Sequence, residues 1–264
     1  MERSTREDIL KLFNTKNESN FFDYFIPIIG VKSNNHIENL YGTCSYLGDN
    51  IFITAGHCIK NIDSEETKLI LFNQSEGWKG EEIIDYEIFE DIDISIFKIG
   101  SCVNNIKSHK WSLGLPLILS EVFACGFPHG FNPKEQKIIN RGFKGSVSGI
   151  TTSDIFIKEH FFTYIETSFA CPVGISGAPL VEWGGDNTIY GIITGNTRVS
   201  ITVSERKEIN ITNNESSYYF VEDTIQLGMA VSNISIFDKY SKILKSNFVD
   251  YLRKTNLLKE DNTK

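Results

Sequence analysis

The feature that most constrains this chain is a succession of short segments rich in β-branched and aromatic residues, separated by Gly, Asn and polar residues. Clear examples are FIPIIGVK (25–32), NIFITAG (50–56), ISIFKI (94–99), FFTYIETS (161–168) and TIYGIITG (188–195). Such segments are typical of β-strands, and their near-regular spacing is typical of sandwiches and barrels. The sequence therefore predicts an all-β fold, and 264 residues suffice for one large domain or two small ones.

Both ends of the chain depart from the strand pattern. Near the N-terminus, Ser4 and Glu7 form a capping-box signature ahead of a rough apolar face, which predicts a short helix within residues 1–20. After Ser232, apolar residues recur at steps of three and four, which predicts a C-terminal helix within residues 234–264 that docks on the body of the protein. The residues of this apolar face are Phe237, Tyr240, Leu244, Phe248 and Tyr251.

Two polar stretches interrupt the strand pattern between these ends. The segment 104–115 is the weakest strand zone, so we place a domain boundary there, with a first β-unit over residues 21–110 and a second over residues 111–233. The Asn-rich segment 204–217 is polar throughout, and we interpret it as a long hairpin loop.

Composition and charge exclude several classes of function. The chain carries 26 basic and 34 acidic residues, a formal net charge of −8, which argues against nucleic acid as a partner. No apolar run approaches the roughly 18 residues that a membrane helix requires, and the polar first residues lack the apolar core of a secretion signal. Five cysteines without a tight pairing pattern then favour a reduced, cytoplasmic protein that does not associate with membranes.

Three short segments hold the residue types of a nucleophilic hydrolase. ITAGHC places His57 at the end of an apolar strand, DIDISIFKI supplies Asp91 and Asp93, and CPVGISGAPLV carries Ser176 among glycines. A nucleophilic hydroxyl needs a base within hydrogen-bond reach, and the base needs an acid that orients it. The chain order His, Asp, Ser is one of the known arrangements of such a triad.

These segments resemble motifs of the chymotrypsin/trypsin superfamily of serine proteases, most closely its bacterial high-temperature-requirement, or trypsin-like peptidase, branch. TAGHC is similar to the histidine motif T-A-[AG]-H-C, the run D-I-S-I from Asp93 to the aspartate motif D-I-A-L, and GISGAPL (174–180) to the serine motif G-x-S-G-G-P-L. The resemblance covers roughly residues 25–235. It implies two six-stranded antiparallel β-barrels with the triad at their junction, and serine endopeptidase activity.

The resemblance also implies a role for each motif residue. Ser176 is the nucleophile and His57 the general base, and Asp93 rather than Asp91 orients the imidazole. The backbone N–H groups of Gly174 and Ser176 form the oxyanion hole. The strand after the serine motif is expected to pair with the main chain of the substrate.

The same resemblance implies an uncharged substrate pocket. Ala170 stands where trypsins carry an Asp, and Ile193 stands where glutamyl endopeptidases carry a His. With Thr194 and Gly195, these residues predict a preference for small to medium aliphatic or uncharged residues at P1, the residue that supplies the scissile carbonyl. Ile175 replaces the acidic residue that pairs with the new N-terminus of activated trypsins, which implies that no zymogen cleavage is needed.

Alternatives stay open at the level of the sequence. A catalytically silent protease-fold binding module is the main one, and an esterase on the same fold is another. An α/β-hydrolase is disfavoured, because Ala178 stands where its G-x-S-x-G elbow needs Gly and because its triad runs Ser, acid, His. The four histidines at 36, 109, 129 and 160 lack metal-ligand spacing, so we expect no metal or cofactor. The expected partners are a protein or peptide substrate and, as a further option, a regulatory protein.

Overall fold

The structure is a computed structural model of the protein, and it describes residues 24–32, 37–60, 66–74, 77–101, 106–128, 131–132, 137–153, 162–210 and 215–259. The helix predicted within residues 1–20 lies outside the described residues, and so do the histidines at 36, 129 and 160. Within the described ranges, no helix is both long and apolar enough to span a membrane.

The first half of the chain forms a closed antiparallel barrel of six strands. These are β1 (Ile26–Val31), β2 (Ile37–Gly48), β3 (Ile51–Ala55), β4 (Thr67–Gln74), β5 (Gly77–Phe89) and β6 (Ile94–Ile99), with helix α1 (Gly56–Lys60) after β3. The strand order is β1-β2-β3-β6-β5-β4, and pairing of β1 with β4 closes the barrel. Side chains fill the interior, where Phe52 stacks on Phe97 with ring centroids 5.3 Å apart.

The second half repeats this architecture. Its strands are β7 (Glu121–Gly126), a small hairpin of β8 (Phe131–Asn132) and β9 (Lys137–Ile138), β10 (Arg141–Ser153), β11 (Phe162–Thr167), β12 (Pro179–Glu182), β13 (Ile189–Asn210) and β14 (Glu215–Ser232). Six of them close in the order β10-β11-β14-β13-β12-β7. The predicted all-β fold with two six-stranded antiparallel barrels is therefore confirmed.

The C-terminal helix is present but shorter than the apolar spacing suggested. After α2 (Asn233–Phe237), the chain makes a small hairpin of β15 (Tyr240–Ser241) and β16 (Ser246–Asn247) and then enters α3 (Phe248–Lys254). The turn includes Lys245 in the left-handed region, with φ of 57°, which ends any continuous helix. The spacing of three and four arose because successive short turns each bury one apolar side chain, while Tyr240 stays 60% exposed.

The C-terminal segment holds the two barrels together. One hydrophobic cluster contains Ile53 of the first barrel, Ile192 of the second and Phe248 of α3, all fully buried. Trp111, on the connection between the barrels, packs edge-on against Phe248 with ring centroids 5.0 Å apart. The Tyr251 hydroxyl of α3 donates to a carbonyl of β2 at 3.2 Å. The relative position of the barrels, and hence of residues contributed by each, depends on this segment.

Strands β13 and β14 extend well past the barrel. Beyond the barrel they stay paired out to Asn210 and Glu215, with one register shift between Thr202 and Ser204. The hairpin-loop interpretation of 204–217 is therefore wrong for all but residues 211–214, which lie outside the described residues. Strand β12 pairs with β13 only through Ile192, and β11 pairs with β14 only from Gly228 onward. We call residues 198–210 with 215–226 the β-ribbon. At about 3.3 Å per residue it is roughly 40 Å long.

Candidate active site

His57 and Asp93 meet in the first barrel through two hydrogen bonds, and a third joins the neighbouring Gly56 to Asp93. The chain leaves β3 into α1 at Gly56, whose N–H donates to the Asp93 backbone carbonyl at 2.8 Å. The His57 backbone N–H donates to Asp93 Oδ1 at 2.8 Å, and the ring atom Nδ1 lies 2.7 Å from Asp93 Oδ2. Because a carboxylate only accepts, Nδ1 carries a proton in this contact, and in the neutral ring Nε2 therefore holds the lone pair.

The backbone of both segments is shaped for this contact. Asp93 lies in the turn before β6 with φ of 53°, a left-handed conformation that Asp and Asn adopt more readily than most residues. Gly56 permits the close approach, because a Cβ there would lie 2.9 Å from Asp93 Oδ1. The motif glycine and the turn aspartate are therefore both needed to bring the carboxylate to the imidazole.

The charge around the imidazole favours its protonated form. The hydrogen bond that His57 donates to Asp93 is the main cause that raises the pKa of His57 above its usual 6.5, while partial burial of the ring opposes the shift. Asp91 is engaged elsewhere, in an ion pair with Lys239. The two aspartates of the sequence motif therefore have different partners, and only Asp93 contacts His57.

The loop that carries Ser176 belongs to the second barrel and is bound to the first. Thr43 N donates to the Ser176 carbonyl at 2.8 Å, and Cys58 Sγ, one residue after His57, lies 3.5 Å from the same carbonyl. Gly177 has φ of +84°, and a Cβ there would lie 2.0 Å from the Thr43 carbonyl. Ser176 is thus held directly beside the segment that carries His57.

The same loop presents two backbone N–H groups that donate to no described residue, and the N–H group between them is already hydrogen-bonded. Ile175 N donates to the Pro172 carbonyl at 3.2 Å, whereas Gly174 N and Ser176 N donate to no other described residue. Gly174 has φ of +101°, and a Cβ on it would lie 2.6 Å from the Phe127 carbonyl. The glycine therefore lets the loop turn tightly against the second barrel while its N–H stays available.

Thr43 is a site residue that sequence reasoning missed. Its Oγ1 donates to the Gly174 carbonyl at 2.9 Å, and its own carbonyl accepts from Thr54 Oγ1 at 2.7 Å. Together with the bond from Thr43 N to Ser176, these contacts link the serine loop to two strands of the first barrel. The only signal in the sequence was its place in the run GTC (42–44), since a lone Thr in a strand indicates no chemistry.

A cavity of about 580 Å³ adjoins the serine loop, and uncharged residues line it. Its lining residues are Phe143, Phe169, Ala170, Cys171, Pro172, Val173, Asn196 and Gln226. The amide of Asn196 joins the two walls, because it accepts from Cys171 N at 2.6 Å and donates to the Cys171 carbonyl at 2.7 Å. Both Asn196 contacts were absent from the sequence prediction.

The predicted pocket residues divide between the cavity and its surroundings. Ala170 lines the cavity. Ile193 does not: its side chain is fully buried in the core of the second barrel, because its strand turns that face inward. Thr194 lies at a register shift of β13, and a Cβ on Gly195 would meet only open space. Asn196 therefore takes the place in the second wall that was expected of Ile193.

Comparison with known proteins places the fold. No family model and no curated protein match the chain. Among solved structures, the apo MamO protease domain from Magnetospirillum magneticum matches with a TM-score of 0.55 and 12% identity, over 83% of this chain and 97% of that one. The active form of the Rv3671c protease from M. tuberculosis matches with a TM-score of 0.53 and 12% identity, over 96% and 89%.

A serine endoprotease from Yersinia pestis also matches, with a TM-score of 0.49 and 17% identity over 80% of this chain. This chain spans 59% of that protein, less than two thirds of its length. With TM-scores above 0.5, the MamO and Rv3671c proteases show that the chain shares their fold. At 12% identity the likeness establishes the fold alone, and the chemistry has to be inferred from the site itself.

Proposed function

We propose that this protein is a serine endopeptidase that cleaves peptide bonds in polypeptide substrates through an acyl-enzyme. The observation that carries the proposal is the 2.7 Å contact of His57 Nδ1 with Asp93 Oδ2 in one barrel, beside the loop of the other barrel that holds Ser176. This contact fixes the tautomer that a general base requires, with Nε2 unprotonated. The uncharged cavity at the serine loop supports a pocket for an uncharged P1 side chain.

In the first half-reaction the serine becomes acylated. Ser176 Oγ attacks the substrate carbonyl carbon while His57 Nε2 takes its proton, and Asp93 stabilises the imidazolium as an ionised partner. The N–H groups of Gly174 and Ser176 donate to the oxyanion of the tetrahedral intermediate. When the intermediate collapses, the C–N bond breaks, His57 gives its proton to the departing amine, and an ester to Ser176 remains.

The second half-reaction regenerates the enzyme. A water molecule attacks the ester carbonyl while His57 Nε2 takes one of its protons, and the same two N–H groups receive the new oxyanion. Collapse breaks the bond to Ser176 Oγ, which recovers its proton from His57. One water is consumed for each peptide bond, with no metal or cofactor in the scheme.

The cysteines support both a hydroxyl nucleophile and a reducing compartment. Burial raises the pKa of the Cys44, Cys125 and Cys171 thiols, so they are poor nucleophiles at neutral pH. These three and Cys58 are buried and unpaired within the described part of the chain. We therefore propose a cytoplasmic enzyme that acts on protein or peptide substrates, without nucleic acid or membrane as a partner.

Covalent labelling by a fluorophosphonate tests this function. We expect one adduct, mapped to Ser176 by mass spectrometry and lost in Ser176→Ala, because only an activated serine reacts. Ser168→Ala is the matched control, since Ser168 is an exposed serine just before the same loop. A folded protein that takes no label but binds peptide would contradict the proposal and favour the binding module.

A further inference from the structure

Strand β13 has a free edge that begins at the serine loop and continues along the β-ribbon. Ile193 of β13 donates from its N–H to the Ala178 carbonyl at 2.9 Å, and its carbonyl accepts from Gly177 N at 2.7 Å. Both backbone groups of Ile193 therefore point away from β14 and toward the serine loop. The edge of β13 that continues from this point is the one nearest to Ser176.

The register shows which backbone groups face that edge farther out. Asn196 lies opposite Gly228 of β14, and Gly228 N donates to the Phe169 carbonyl at 2.8 Å, away from β13. In an antiparallel ladder, opposite residues either exchange both backbone hydrogen bonds or exchange none. Because the N–H of Gly228 points away from β13, the pair Asn196–Gly228 exchanges none. The N–H and C=O of Asn196 therefore also point outward, away from β14. The two-residue period extends this orientation to Arg198, Ser200 and Thr202.

No described strand covers this edge. Past Ile193, the pairing of β13 among the described residues is with β14 alone, over the full length of the β-ribbon. A long strand edge with unpaired N–H and C=O groups is a template for another extended chain. The ribbon base is also accessible, since Val199 is 40% exposed and its cross-strand partner Ile225 is 46% exposed.

The direction of β13 decides what can occupy the edge. A chain antiparallel to β13 that presents its scissile carbonyl to Ser176 extends its N-terminal, acyl-side residues outward along the β-ribbon. Counting outward from P1 beside Thr194 places P3 opposite Asn196, P5 opposite Arg198, P7 opposite Ser200 and P9 opposite Thr202. The acyl side of the substrate and the free edge therefore coincide.

We infer that the free edge of β13 from Thr194 to Thr202, which includes the base of the β-ribbon, is an extended substrate-binding site that pairs with about nine residues on the acyl side of the cleaved bond as an added strand. The inference rests on the proposed protease function. Its substrates would be unfolded or extended segments rather than short peptides. Exposed Arg198 opposite P5 and exposed Val199 opposite P6 favour an acidic P5 and an apolar P6 residue, because directly opposed side chains interact.

A peptide series that shares one cleavage site tests the site by length. Acetylated peptides with about four to about ten acyl-side residues should show kcat/KM rising at least about tenfold with length, mostly through a lower KM, as added strand pairing predicts. A second pair of peptides carries an N-methyl group at P7 or at P6. N-methylation at P7 should cancel the gain, because that N–H faces Ser200, whereas N-methylation at P6 should not.

A matched pair of proline variants tests the edge from the enzyme side. Ser200→Pro removes one N–H from the free edge of β13 without breaking a bond to β14. Thr224, its partner on β14, points its N–H to the other edge of the β-ribbon, so Thr224→Pro removes an N–H there without breaking a bond to β13. We expect Ser200→Pro to abolish the length gain while cleavage of the shortest peptide stays unchanged. Thr224→Pro should leave both unchanged, and circular dichroism checks that both variants fold.

The outcomes separate this inference from the proposed function. Cleavage of short peptides at a rate independent of length would overturn the β-ribbon site and leave the protease proposal standing. If no peptide is cleaved, binding of the longest peptide to Ser176→Ala, followed by fluorescence anisotropy, still decides. Weaker binding when Ser200→Pro is added would support the site, and equal binding would overturn it.

Discussion

At the scale of single residues, the account depends on Asp93 as the partner of His57. Asp93→Asn removes the carboxylate that fixes the Nδ1–H tautomer, so we expect kcat to fall by roughly 10⁴. Asp91→Asn is the matched control and should change kcat little, because Asp91 pairs with Lys239 instead. Steady-state kinetics on one peptide measure both, and the opposite ranking would overturn the assignment.

The pH dependence of the rate follows from the same contact. His57 must be neutral to act as a base, and its pKa is raised above 6.5 chiefly by its hydrogen bond to Asp93. We therefore expect kcat/KM to rise with pH along a limb whose midpoint lies above 6.5. In Asp93→Asn the main cause of the raised pKa is gone while burial remains, so the midpoint should move to lower pH. The contribution of this pair to stability has the opposite sense, since it is full below pH 6.5 and is lost as pH rises through the raised pKa.

We expect the residues that line the cavity to set the substrate preference. None of them carries a charge, so burying a charged P1 side chain there without a partner would cost several kcal/mol. A P1 peptide library should show highest kcat/KM for small to medium aliphatic or uncharged residues. Asn196→Asp places a carboxylate in the wall and should increase cleavage after Lys and Arg. A wild-type preference for Lys, Arg, Asp or Glu would contradict this.

At the scale of secondary-structure elements, β1 bears on activation. The segment Pro27–Gly30 loosely resembles the new N-terminus of activated trypsins, but it lies inside β1 and pairs with both β2 and β4. Ile175, directly before the serine, is fully buried and apolar, so this position has no carboxylate that could form an ion pair with a new N-terminal amine. An uncleaved chain with an N-terminal tag should hydrolyse peptide at the same kcat/KM as the untagged chain. A requirement for cleavage before Ile28 would contradict this.

The sequence predicts the elements that bury one regular apolar face, and it does not predict the elements that lack such a face. The strands of both barrels alternate or run apolar because side chains fill the barrel interior. Both faces are exposed at the base of the β-ribbon, at residues 198–200 and 223–225. The polar segment 204–217 lacks the apolar pattern of the barrel strands and was therefore interpreted as a loop. The apolar spacing from Phe237 to Tyr251 reflects burial against both barrels rather than one helix. Thr43 and Asn196 escaped prediction because their roles come from partners far away in the sequence.

At the scale of the whole molecule, the C-terminal segment should control both stability and catalysis. Phe248 is fully buried in the cluster that joins the barrels, so Phe248→Ala should lower the free energy of unfolding by about 3–5 kcal/mol. Because His57 and Ser176 come from different barrels, kcat should fall in protein that is still folded. Asp250→Ala changes an exposed residue of the same helix and should alter stability by less than about 0.5 kcal/mol. Urea titration with parallel kinetics checks both, and an unchanged kcat in folded Phe248→Ala would contradict the coupling.

The most direct test of the central claim is a double-mutant cycle of peptide cleavage with Ser176→Ala and His57→Ala. When two residues act as one catalytic unit, removing either one abolishes the contribution of both. Each single variant should therefore reduce kcat by about 10⁶, and the double variant by little more. Ser168→Ala, outside the unit, should cleave at the wild-type rate. Wild-type cleavage by Ser176→Ala, or losses that multiply in the double variant, would show that Ser176 and His57 do not form the proposed catalytic unit.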